Sequence, residues 1–130
     1  MFTSYFHSPL LTPGDPRLVS IARWAPFRPA EKAYRGRGYP ALAPPKTLQD
    51  LSKEEYTKAY RKKVLDRLDP RKVFEDLGED SVLLCWERPG QFCHRRLVAE
   101  WLEFYLGIKV PELVLPLLVL GSQGNLCDAP

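Results

Sequence analysis

Six consecutive residues, Ser81 to Trp86 (SVLLCW), limit what this chain can fold into more than any other stretch. The run is apolar at odd and even positions alike, is too short for a helix, and is followed by the turn signal Pro89-Gly90. A strand that is apolar on both faces has to be covered on both, as strands are in a parallel sheet between packed layers. Helical periodicity comes next: over Cys93 to Leu106, Leu97, Trp101 and Tyr105 recur at four-residue spacing with Val98 and Leu102 alongside, and Gly107 supplies a stop. Ile108 to Val114 then resumes strand character. Strand, helix and strand within about 35 residues make a βαβ unit, with a right-handed crossover and a parallel pair.

The N-terminal part adds strands to that unit. Met1 to Phe6 (MFTSYF) is rich in aromatic and β-favouring residues, and Leu18 to Ala22 (LVSIA) is a short apolar run. Pro9, Pro13, Gly14, Asp15 and Pro16 make the connection a loop. From Trp24 to Pro45 the density of proline and glycine forbids a long regular element. A loop of that length in a small domain is more often functional than accidental. Ser52 and Glu55 form an S-x-x-E capping box that opens a helix with Tyr56, Tyr60, Val64 and Leu68 along one stripe. Asp69-Pro70 caps a second helix carrying Val73, Phe74 and Leu77, which Gly78 ends. The expectation is a single α/β domain over residues 1–112, with a small parallel or mostly parallel sheet flanked by helices. Residues 113–130 are expected to be an apolar segment followed, from Gly121, by a weakly ordered tail.

At 130 residues there is room for one core. Leu113 to Leu120, the longest apolar stretch, is broken by Pro116 and falls well short of the roughly 20 residues that span a bilayer. Met1 to Leu11 has no basic leader and no small-residue cleavage site, so a soluble, cytoplasmic protein is expected. In a reducing compartment its three cysteines are catalytic, metal-binding or simply packed. The net charge is +3, and its distribution says more: Arg17 to Lys46 holds seven basic residues against Glu31 alone. With Trp24, Phe27, Tyr34 and Tyr39 among those charges, the loop 23–46 suits phosphate or nucleic acid, through cations and stacking rings. The other reading is a solvated loop whose aromatic rings fold back onto the core.

In parallel α/β sheets ligands gather at the carboxyl ends of strands. Here that place holds Cys85, Glu87, Arg88, Cys93, His94, Arg95 and Arg96, two thiols, a carboxylate, an imidazole and three guanidinium groups on one connection. Cys93 lies at the expected helix start, where the helix dipole and neighbouring positive charge favour a thiolate. It is a candidate nucleophile, with His94 or Glu87 as proton carrier. Its alternative is a small packed residue. Helical neighbours diverge by about 100°. Cys93 and His94 are therefore expected not to touch, and His94 to reach Glu87 or a substrate. By the same geometry only one of Arg95 and Arg96 faces the site, leaving the other as a solvated charge. Cys85 and Glu87 share a strand face, and Cys85 reads as packing or as part of a substrate pocket.

A zinc site is not expected, because C-x7-C-H matches none of the paired ligand spacings, and no metal or cofactor is assigned. A phosphatase cradle needs arginine six positions after the nucleophile, where this chain has Gln91 or Ala99. The usual nucleotide and hydrolase motifs are absent.

The string LLCWERPGQFCHRRLVAEWL resembles the signature of the domain-of-unknown-function 488 family, in which a strand ends in C-x-E and C-H-R opens the next helix. Cys85, Glu87, Cys93, His94 and Arg95 match it position by position. Thr3 to Phe6, Ser20 to Arg23 and Tyr39 to Pro44 look like further features of its short members, so the likeness covers most of residues 1–112. Longer members read Asp-Val-Arg where this chain has Ile21-Ala22-Arg23, so an acid is missing. The resemblance implies an α/β fold and a shared pocket, and prefers Arg95 over Arg96 as the arginine facing it. Arg23, Cys85, Tyr5 and Tyr39 are the candidate substrate-binding residues. It implies no particular reaction.

Two functions are expected to compete. One is a small enzyme acting on a phosphate-bearing or other anionic substrate held by Arg23 and Arg95, with Cys93, His94 and Glu87 doing the chemistry. The other is a non-catalytic nucleic-acid or nucleotide binding module built on loop 23–46.

Overall fold

The computed structural model describes residues 1–120. Strand β4 (Val82–Cys85) is the centre of the fold, buried at every position. It pairs in parallel with β1 (Phe2–Tyr5) on one side and β2 (Leu18–Ser20) on the other. A two-residue strand, β3 (Arg37–Gly38), pairs in parallel with β2, giving the order β1-β4-β2-β3. The apolar run at 81–86 is thus central because only a central strand covered on both faces can bury it.

Register decides which residues share a face. Thr3, Leu83 and Val19 lie in one row, and Tyr5 stands beside Cys85 in the next row of the same face. On this side Val19, Ile21 and Leu83 meet the apolar stripes of α1 (Lys53–Lys63), α2 (Pro70–Leu77) and α3 (His94–Leu106). Leu18, Val82 and Leu84 point the other way, against Leu113, Leu117 and the half-buried Phe6, Leu10, Leu11 and Tyr34. Helices therefore cover one face, while the β1–β2 loop and the C-terminal segment, with α4 (Leu117–Leu120), cover the other. None of the described helices is long and apolar enough to cross a membrane.

The helix signals act as their chemistry dictates. Ser52 accepts the Glu55 N–H and bonds the Glu55 carboxylate in return, and Asp69 accepts the Arg71 N–H. Gly107, at φ 67°, takes the left-handed conformation that closes α3. α1 stops at Lys63, and Leu65–Arg67 continue as one 3-10 turn, so Leu68 lies beyond the helix whose stripe it extends.

One expectation is corrected. Ile108 to Val114 is not a strand: only Glu112 bridges to Thr3, on the outer edge of β1. Pro111 has no N–H to continue a ladder, and its carbonyl takes the Thr3 N–H instead. The chain leaving α3 therefore passes beyond β1 rather than pairing with β4. The loop 24–45 has no long regular element: it holds a 3-10 turn at Ala30–Lys32, the two-residue strand β3 and a 3-10 turn at Pro40–Leu42. The expected weakly ordered tail, 121–130, lies outside the described residues.

Candidate functional site

β4 ends at Cys85, a turn of exposed residues follows, and α3 begins at His94 with Cys93 as its N-cap. This turn folds back so that the sulfurs of Cys85 and Cys93 are brought together. Two cysteines read as separate candidates are one unit.

Cys93 and His94 touch, contrary to expectation. The 100° argument applies between helical residues, but Cys93 is extended (φ −151°, ψ 144°) and stands outside the helix. Its Sγ lies 3.8 Å from His94 Nδ1. His94 Nε2 lies 2.7 Å from the Ile21 carbonyl oxygen, which can only accept, so Nε2 carries the proton. Nδ1 then presents a lone pair to the sulfur. His94 does not reach Glu87. Burial holds the imidazole down at about 4, with the Arg95 charge adding to the effect and the Ile21 hydrogen bond opposing it. The ring is neutral at pH 7.

Arg95 is 1% exposed, and its guanidinium is engaged on several sides. Nε and Nη2 form a two-pronged pair with Glu112, while Nη1 donates to the Glu87 carbonyl at 2.7 Å and to Cys85 Sγ at 3.1 Å. Arg95 is turned inward, where it holds the Cys85 sulfur and the turn rather than gripping a substrate. Arg96 is no solvated charge. It is half-buried and donates to Thr3 Oγ1 and the Val110 carbonyl, both at 2.8 Å. Thr3 in turn donates to Glu112, closing a network beneath the thiols.

Glu87 is exposed, and its Oε2 lies 3.4 Å from Cys85 Sγ. Tyr56 is pushed up to about 12, chiefly by burial and further by the Glu87 charge. Tyr56 stacks on Tyr60 and meets the Phe92 ring edge-on, and Tyr60 meets His94, so the imidazole sits in an aromatic wall.

The remaining candidates are placed as follows. Tyr5 is beside Cys85 in the sheet. Arg23 is exposed, 5.7 Å from the centre of the Trp24 ring. Tyr39 is not at the thiols: its hydroxyl donates to Asp76 on α2. Glu112 was missed as a site residue. Its signal was indirect, since a buried arginine at the site needs a carboxylate and Glu112 is a lone acid in an apolar run.

The two sulfurs and one ring nitrogen of His94 lie within 4.8 Å of one another, a proximity that the C-x7-C-H spacing did not reveal. A separate cavity of about 880 Å³ lies on the other face of the sheet, floored by Leu18, Leu84 and Phe6 and rimmed by His7, Lys32 and Arg35. Comparison with protein-family models, curated proteins and solved structures finds no match to this chain.

Proposed function

We propose that this chain is a small thiol-dependent enzyme acting on a phosphate-bearing or other anionic substrate, with Cys93 as nucleophile and His94 as the base that takes its proton. The observation that carries this reading is the fixed imidazole: Nε2–H is held by the Ile21 carbonyl while the Nδ1 lone pair faces Cys93 Sγ. A base oriented by a third group, in reach of a nucleophile, is the general arrangement of nucleophilic catalysis. The cap position of Cys93 on α3 adds the positive end of the helix dipole. The resemblance of Cys85, Glu87, Cys93, His94 and Arg95 to the domain-of-unknown-function 488 signature supports membership of that family and a shared site. With Arg95 engaged inside, the anion grip falls to the exposed Arg23 and Arg88.

The test is alkylation of the reduced protein against pH, read peptide by peptide with Cys127 as internal reference. A Cys93 midpoint well below the roughly 8.5 of a free thiol is expected. A midpoint at or above that value would remove the nucleophile and the reading with it.

A second reading has one observation in its favour. Trp24 and Phe27 are each 70% exposed, with Arg23 and Arg28 at 5.7 and 5.2 Å from the respective ring centres. Exposed rings among cations are what single-stranded nucleic acid stacks on. Arg37 is not part of such a face, because it donates to the Leu77 and Asp76 carbonyls at the end of α2. Oligonucleotide binding that weakens steeply with salt and is lost in Trp24→Ala would support a binding module.

A further inference from the structure

We propose that Cys85 and Cys93 work as a thiol–disulfide couple whose substrate is a low-molecular-weight anionic disulfide, Cys93 attacking and Cys85 resolving. This rests on the thiol reading above and names its substrate class. The two sulfurs belong to different elements, the last residue of β4 and the cap of α3, and the fold brings them together. Their surroundings differ in a way that assigns the roles. Both sulfurs are buried, and Cys93 faces the His94 lone pair. Cys85 receives an N–H of Arg95, itself fixed by Glu112. A guanidinium donating to sulfur favours the thiolate, so Cys85 suits both the attack that closes the pair and departure when the pair is reopened. The residues between them, 86–91, are exposed, so the incoming disulfide meets the turn from solvent.

The exchange balances with glutathione disulfide as the probe. The Cys93 thiolate attacks one sulfur of the probe, forming a Cys93–glutathione bond and releasing one glutathione thiolate. The Cys85 thiolate, its proton lost to solvent, then attacks Cys93 Sγ. The Cys85–Cys93 bond forms, and the second glutathione thiolate leaves. The protein pair gives up two electrons and the probe takes them.

The experiment equilibrates the full chain in glutathione buffers of graded ratio, traps free thiols, and maps all three cysteines by peptide mass spectrometry. The expected result is a single transition in which Cys85 and Cys93 become linked together, with Cys127 outside the link. Cys85→Ser should accumulate the glutathione adduct on Cys93, whereas Cys93→Ser should leave Cys85 largely unmodified. The proposal is overturned if the wild-type pair stays reduced at every ratio, or links only after a chelator is added. It is equally overturned if the adduct collects on Cys85 or if Cys127 enters the link. Fast, low-midpoint alkylation of Cys93 without any Cys85–Cys93 link would leave the nucleophile standing and remove the couple. Slow alkylation would remove the nucleophile itself.

Discussion

His94 is buried beside the two cysteines, and its burial has a consequence for stability. The folded imidazole titrates at about 4, against about 6.5 for an unfolded chain. Between those values the unfolded state binds a proton that the folded state does not, so stability rises with pH through the window and falls on acidification. The full effect is on the order of 3 kcal/mol. Denaturant midpoints taken from pH 7 to 4.5 should fall, and His94→Gln, which keeps an N–H for the Ile21 carbonyl, should fall less steeply. The depression belongs to a ring with no thiolate beside it. Reduction of a linked Cys85–Cys93 pair would put a thiolate beside Nδ1, and an adjacent anion raises a histidine. His94 observed by NMR should therefore titrate higher in the reduced protein. Arg95 makes a different case. Glu112→Gln leaves a guanidinium buried with its charge unanswered, at a cost of about 3 kcal/mol. Because Arg95 also braces Cys85 and the Glu87 carbonyl, the loss should appear in urea midpoints and in Cys85 reactivity together.

Elements were legible where their signals are local. The Ser52–Glu55 capping box, the Asp69-Pro70 start and the stops at Gly78 and Gly107 each satisfy or end a helix by chemistry within a few residues. The C-x-E to C-H-R connection stood out for the same reason, since its charged and thiol groups are adjacent in sequence. Pairings that depend on distant chain were not legible. Glu112 reaches Arg95 only because Pro111 and Leu113 bond to Thr3, and nothing near residue 112 announces that. Ile108 to Val114 has strand composition, yet Pro111 removes a donor from its middle. Loop 40–48 belongs with these long-range features. Tyr60 on α1 donates its hydroxyl to the Leu42 carbonyl inside the core. Tyr60→Phe leaves that carbonyl buried without its donor, and should cost about 1–3 kcal/mol in denaturant midpoint.

At the scale of the whole molecule, the central strand separates two surfaces of different chemistry. Cys85, beside Leu83 in the same row set, serves the helix-covered face, while Trp86 turns toward Phe6 and His7 and donates its indole N–H to the Trp24 carbonyl. One residue step along β4 thus divides the thiols from the aromatic, basic side that borders the 880 Å³ cavity. Apart from Arg23, which both proposals use, the proposed thiol site and the proposed binding face are for that reason separable by experiment. Replacing Trp24 and Phe27 together by alanine removes exposed rings that carry no core packing, so thermal stability should stay nearly unchanged. Cys93 alkylation and its pH midpoint should also be unchanged in that variant, while any oligonucleotide affinity should drop at least tenfold, in line with about 1–3 kcal/mol of stacking per base. A shift of the Cys93 midpoint in the same variant would mean that the two surfaces communicate through Trp86 and that the division at β4 is not a functional one.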